Sequence, residues 1–273
     1  MPRVGSCFIA SVSLLDSALV EVVDRYWARF LGCAPEALRS NTTQIGVHTG
    51  QDDCAGRWLE ERRVLCYLME FGGAPIVSLP IGEVESYRAA IAQWQAGIVR
   101  MPALVEAVFG KRVVASRGPA FVGYSDLKHF RPAFSRSTRQ LTTQDEKAVD
   151  VLRAACAVEE WEAGGSEFRP DAMVGVFRGQ ELAALAGYQL WGDQIAHIAI
   201  VTHPAFRGEG HATTAVSTLT EIVFERSLVP QYRTLEANTS SLAVARRLGF
   251  VQYATSLAVR FASSDSEGNG ETG

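Results

Sequence analysis

The residues best suited to chemistry lie in one run, Arg207-Gly208-Glu209-Gly210-His211-Ala212-Thr213. Its glycines and alanine place absent or small side chains where the backbone must curl tightly. Val216, Leu219 and Val223 then recur at helical spacing, in a segment ending near Arg226. A helix starting at such a loop presents unpaired N–H groups and the positive end of its dipole, which together make a seat for a phosphate. No Gly-Lys-Ser/Thr follows the turn, so this is not a triphosphate loop. The third glycine of a dinucleotide fingerprint is missing, and the preceding strand comes late in the chain. The Arg207 guanidinium either reinforces the anion site or is simply solvated.

The elements that must position this loop are legible on both sides of it. Ile195 to Val201 is almost wholly apolar, as expected of a strand buried on both faces. Tyr232 to Ala237 reads as a second strand, and Asn238-Thr-Ser-Ser-Leu-Ala-Val-Ala-Arg-Arg-Leu-Gly-Phe as a turn, a helix and its stop. Ser240 or Ser241 is expected to cap that helix, with Gly249 in the left-handed position past its end. Two ionisable side chains on these strands are candidates for moving a proton. His197 is either a base of ordinary imidazole pKa or a hydrogen-bonded core residue. Glu236 is either a carboxylate base or a group held by a salt bridge or helix cap.

The spacing Arg-x-x-Gly-x-Ala from Arg207 to Ala212, followed by an asparagine closing a strand and a helix ending in Leu-Gly-Phe, resembles the GNAT superfamily of N-acetyltransferases. The resemblance covers about Leu141 to Phe261, and its two motif segments are the specific part. It implies an α/β (mixed α+β) fold with a GNAT-like central mixed sheet flanked by helices. It also implies acetyl-CoA as co-substrate, with no metal. The cofactor-binding residues it implies are Ile200, Val201 and Thr202, then Arg207, Gly208, Glu209, Gly210, His211, Ala212 and Thr213, with Asn238. Backbone N–H near Ile200 would polarise the thioester, Thr202 and Asn238 would lie beside the pantetheine, and the amides from Gly208 to Thr213 would hold the pyrophosphate. His197 and Glu236 are the catalytic candidates. Many family members carry a tyrosine seven residues after the asparagine as the acid for the leaving thiolate; here that position is Ala245. Tyr232 and Tyr253 are the substitutes to test. The implied activity is transfer of an acetyl group to a primary amine of a small molecule or protein; the alternative is a non-catalytic acyl-CoA-binding regulatory module.

Composition narrows the setting. A net charge of −4 in 273 residues gives no sign of a nucleic-acid surface. The 5 cysteines (Cys7, Cys33, Cys54, Cys66, Cys156) are odd in number and form no Cys-x-x-Cys pair, which points to reduced thiols in a cytoplasmic protein. No run is long enough to span a membrane. The apolar start from Val4 to Val20 is interrupted by Asp16 and lacks a strongly basic leader, so it reads as a first strand and helix rather than a signal peptide.

The expected organisation is an accessory α/β domain over 1–135, an acetyltransferase domain over 136–262 and a disordered tail over 263–273. The first part is expected to hold a helix from about Leu14 to Phe30, strands at Arg63–Met69 and Pro75–Leu79, and helices near Glu83–Ile98 and Pro102–Phe109. It reads as a degenerate GNAT-like unit, a wall of the acceptor pocket or a homodimer contact. His129 to Arg139 reads as a linker. Leu141-Thr-Thr-Gln-Asp-Glu is an N-cap signature for a helix that continues to a stop at Gly164-Gly165. Ala172–Phe177 and Leu182–Trp191 read as a hairpin turning at Arg178-Gly179.

Overall fold

A computed structural model describes residues 15–48, 65–165 and 167–261. Cys7, Cys54, the strand expected ahead of the first helix and the tail after Ser263 lie outside the described residues. In chain order the elements are α1 (Ser17–Leu31), β1 (Gln44–His48), β2 (Leu65–Glu70), β3 (Ile76–Pro80), α2 (Val84–Ile91), α3 (Pro102–Phe109), β4 (Val113–Tyr124) and β5 (Thr138–Gln140). They continue with α4 (Glu146–Ala155), α5 (Val158–Gly164), β6 (Met173–Arg178), β7 (Glu181–Trp191), β8 (Ile195–Thr202), α6 (His211–Glu225), β9 (Val229–Leu235), α7 (Thr239–Arg247) and β10 (Val251–Phe261). The fold is mixed α/β, with strands and flanking helices in both halves of the chain. The described residues form two compact units, one within 15–122, 235–237 and 252–261, the other within 123–234 and 238–251.

In the first unit the strands are arranged β1-β3-β2-β10-β4. β1 and β3 are parallel, while β2 runs antiparallel to both β3 and β10. Asp16, which breaks the apolar run in the sequence, does so because it caps α1: its Oδ1 accepts from the N–H groups of Ala18 at 2.9 Å and Leu19 at 3.3 Å. The core joins Leu68, Val77, Leu79, Val105, Phe109 and Phe261, all buried. The helix expected to run to Ile98 ends at Ile91, and a single tight turn at Ile98–Arg100 follows. That turn is held by Glu70, whose Oε1 accepts from the N–H groups of Gly97 at 2.8 Å and Val99 at 3.1 Å.

The second unit arranges its strands β9-β8-β7-β6-β5. β5 to β8 are antiparallel in turn, and β9 lies parallel to β8. A capping box between Thr142 and Asp145 opens the tight turn Thr143–Asp145 that leads into α4, and Arg139 locks the Asp145 carboxylate with contacts of 2.7 and 2.8 Å. The segment expected as a linker therefore ends in a strand, β5, whose Arg139 fastens the turn that starts α4. The expected single helix breaks at Cys156, whose backbone is extended, so α4 and α5 are separate. Leu141, Val149, Leu152, Trp161, Leu185 and Val201 form one buried cluster with these helices. α6 buries Val216, Leu219 and Val223, the three residues whose spacing marked it as a helix.

Candidate functional site

The β8–α6 loop takes its shape from two glycines. Gly208 and Gly210 both have φ +83°, and a Cβ at either would meet nothing within 4 Å. Conformation rather than crowding therefore requires glycine here. Gly210 is the N-cap of α6, which has no side-chain cap and no acidic residue in its first turn. The first amides of a 15-residue helix thus face the loop with the positive dipole end unneutralised by its own side chains. Thr213 is buried in that turn, and His211 and Ala212 are half-buried.

The charged side chains around the loop are paired. Arg207 Nη2 donates to Glu160 Oε2 of α5 at 2.9 Å, and its Nε reaches the Thr202 carbonyl at 3.4 Å. This pairing holds the Glu160 carboxyl below its ordinary pKa. Glu209 pairs with Arg178 and lies 3.2 Å from His211 Nε2. The sequence left Arg207 between a phosphate ligand and a solvated cation; the structure gives it a carboxylate partner in the helix beside the loop.

Upstream of the loop, β8 and β9 part company. Their ladder runs from Ile195↔Val229 to Ile198↔Tyr232, although β8 continues to Thr202. On the other edge β8 stays paired with β7 as far as Thr202↔Ala184, and the His203 N–H donates to the Ala183 carbonyl at 2.9 Å. In an antiparallel pair hydrogen-bonded and non-bonded positions alternate. That bond therefore turns the backbone groups of Val201 toward β7 and those of Ile200 and Thr202 away from it, into the divergence.

His197 lies three residues earlier on β8, half-buried. Its Nδ1 is 2.9 Å from Gln231 Oε1, and its ring stacks on Trp191 with centroids 4.1 Å apart and planes 18° from parallel. Burial pulls its pKa down to about 4, the Arg233 charge lowers it further, and the Gln231 contact opposes both. The imidazole is neutral at physiological pH.

Asn238 caps α7 through Oδ1, which accepts from the Ser241 N–H at 3.0 Å. This corrects the expectation of Ser240 or Ser241 as the cap: the asparagine that closes the strand turn is also the helix cap, because its carboxamide reaches the third residue on. Ser241 instead contacts the Tyr232 hydroxyl at 2.9 Å, and burial pushes that phenol up to about 12. Ala245 is fully buried, as are Tyr232 and Tyr253. Tyr253 belongs to the first unit, where its hydroxyl donates to Asp24 at 2.5 Å. Glu236 also belongs to the first unit, with both carboxylate oxygens on Arg100 at 2.7 and 3.0 Å.

The second unit therefore gathers Ile200, Val201, Thr202 and Arg207 to Thr213 along one strand and loop, with His197 upstream and Asn238 at the next turn. Gln231, Tyr124, Glu160 and Gly164 escaped the sequence reading. Only Gly164 carried a signal there, and it was read as a helix stop. Among the described residues no cluster of histidine, cysteine, aspartate or glutamate could hold a metal ion, and no helix is long and apolar enough to cross a membrane.

Residues 133–250 match the model of the acetyltransferase (GNAT) family. Among solved structures, the chain is similar to a GNAT-family acetyltransferase from Colwellia psychrerythraea, at 14% identity and a TM-score of 0.45, over 61% of this chain and 63% of that one. It is also similar to a GCN5-related N-acetyltransferase from Kribbella flavida, at 16% identity and a TM-score of 0.42, over 60% of this chain and 64% of that one. The chain thus spans just under two thirds of the length of each. No curated protein gave a match. The family's activity is acyl transfer from acetyl-CoA. The matched segment brackets both motifs, and residues 133–250 belong to the acetyltransferase (GNAT) family.

Proposed function

We propose that this protein transfers the acetyl group of acetyl-CoA to a primary amine of a small molecule or protein by direct attack. The observation that carries the reading is the uncapped N-terminus of α6 behind two glycines of positive φ. That arrangement suits a diphosphate: amides point at the loop, and open space lies where side chains would be. The amides from Gly208 to Thr213 would hold it, with Arg207 sharing its charge between the ligand and Glu160. Thr202 and Asn238 would border the pantetheine arm.

Acetyl-CoA supplies a thioester whose carbonyl carbon bonds to the amine nitrogen while the C–S bond breaks, giving an amide and the CoA thiolate. The Ile200 N–H, turned into the β8–β9 divergence, would stabilise the oxygen on which negative charge develops. His197, held neutral, would accept the proton that the amine nitrogen sheds on bonding to carbon. The proton then neutralises the thiolate, so thiol and amide are the products. A base of low pKa suits that moment, since the nitrogen becomes far more acidic once bonded, although it contributes less than one poised near neutrality. Glu236 is left out of the step because Arg100 occupies both its oxygens.

One observation favours the alternative of a non-catalytic acyl-CoA-binding module: Ala245 is buried at the usual place of the acid, and the Tyr232 hydroxyl is engaged with Ser241. Calorimetric titration with acetyl-CoA, followed in the same sample by thiol release against a panel of amines, separates the two. Binding with release supports the enzyme, binding without release supports the module, and no binding removes both.

A further inference from the structure

We infer that Gln231 is a positioning residue for this transfer: its carboxamide, anchored on Tyr124, holds the proton of His197 on Nδ1 and leaves Nε2 as the lone-pair nitrogen. This rests on His197 as the proton acceptor. Gln231 and His197 are direct partners in the β8–β9 ladder. Parallel strands in register put such side chains side by side on one face. Gln231 and Tyr124 are wholly buried. A carboxamide taken out of water costs stability unless both its ends are bonded, and here both are. Gln231 Nε2 donates to the Tyr124 hydroxyl at 2.5 Å, and Oε1 faces His197 Nδ1 at 2.9 Å.

The chain of contacts has a direction. With its N–H₂ spent on Tyr124, Gln231 presents an acceptor to the imidazole, and a neutral ring satisfies it only by carrying its hydrogen on Nδ1. Reversing the amide would reverse the file: Nε2 of the glutamine would donate to Nδ1, the hydrogen of His197 would move to Nε2, and no lone pair would remain there for a substrate proton. Trp191 fixes the remaining freedom by stacking on the ring. Position, plane and tautomer are thus set by three residues of the second unit, Gln231, Trp191 and Tyr124. The charged group facing the imidazole is Arg233, on the same face of β9 two residues on, and it opposes a second proton.

The test is the tautomer itself, read by ¹⁵N–¹H correlation on the full chain with labelled histidine, a measurement that needs no acceptor. At pH 7 the wild type should show His197 with hydrogen on Nδ1. Gln231→Leu, and Tyr124→Phe as the milder change, should give a mixture of tautomers. With the amine that releases most thiol, both variants should lose kcat, by at least about tenfold for Gln231→Leu, while KM for acetyl-CoA stays within about twofold. Gln231→Glu restores an acceptor at Nδ1, so it should recover the Nδ1–H tautomer and move the acid limb of the rate profile to higher pH. An Nε2–H tautomer in the wild type, or unchanged kcat in the folded Gln231→Leu variant, overturns the assignment. Normal turnover by His197→Gln removes the base reading and with it the kinetic role of Gln231, whereas the tautomer stands or falls on the spectrum alone.

Discussion

Gly164, the last residue of α5, lies so close to the backbone of Ile200 that a Cβ there would come within 2.3 Å of the Ile200 carbonyl oxygen. It would also lie 3.2 Å from the Val201 Cγ1. Nothing in the backbone torsion of Gly164 demands glycine; proximity does. Ile200 is the residue proposed to polarise the thioester, so the end of α5 packs against the backbone to which that role is assigned. Gly164→Ala must push α5 off β8 or move β8 itself. We expect a loss of about 1–3 kcal/mol in stability, the range for overpacking a filled site, with a larger proportional fall in thiol release than in acetyl-CoA affinity. Urea unfolding and steady-state assays check this. Unchanged stability and turnover would mean that the contact yields freely and does not position the strand.

The pKa of His197 predicts a pH dependence with a definite sign. In the folded chain it is about 4, below the ordinary value of 6.5 that applies when unfolded. Protons therefore prefer the unfolded state between these limits, and the stabilisation is complete above about pH 6.5 and lost as pH falls toward 4. The lowered value corresponds to at most about 3 kcal/mol. Denaturant midpoints between pH 7.5 and 4.5 should fall more for the wild type than for His197→Gln. Equal slopes would show that the imidazole is solvated enough to keep its normal pKa.

The loop glycines should separate cofactor binding from folding. At φ +83° an alanine costs roughly 1–2 kcal/mol through its backbone, so Gly208→Ala and Gly210→Ala should each be mildly destabilised. Gly210→Trp adds bulk in the space the diphosphate is proposed to fill and should abolish acetyl-CoA binding in calorimetry while the chain stays folded. Wild-type affinity in that variant would place the cofactor elsewhere.

The contrast between what the chain disclosed and what it hid has physical roots. Arg207 to Thr213 was readable because glycine and small residues at fixed spacing serve a local backbone need. α6 was readable because Val216, Leu219 and Val223 repeat at the helical period. β5 was not, being a short strand among Ser and Arg residues whose identity depends on pairing with β6. The Tyr124–Gln231–His197 file was also invisible, since register brings together residues far apart in the chain. Glu236 looked like a stranded carboxylate because Arg100, its partner, lies 136 residues away.

That last pair supports a clean discrimination. Arg100 grips Glu236 through Nη2 at 2.7 Å and Nε at 3.0 Å, and its Nη2 also donates to Thr255 Oγ1 at 2.8 Å. The Glu236 N–H in turn donates to the Pro119 carbonyl at 2.9 Å. Both carboxylate oxygens are engaged by the guanidinium, so an amine could reach either only by displacing Arg100. Glu236→Gln keeps the shape and one acceptor oxygen but removes the charge. We expect it to lower stability by about 1 kcal/mol, the scale for a partly exposed ion pair, and to leave kcat and its pH profile unchanged. A fall in kcat of tenfold or more in a variant that still binds acetyl-CoA would return Glu236 to the proton-transfer step and displace His197 from it. Arg100→Met adds the reciprocal check: it should cost at least as much stability as Glu236→Gln, since it leaves the carboxylate without its partner while sparing the proposed proton acceptor.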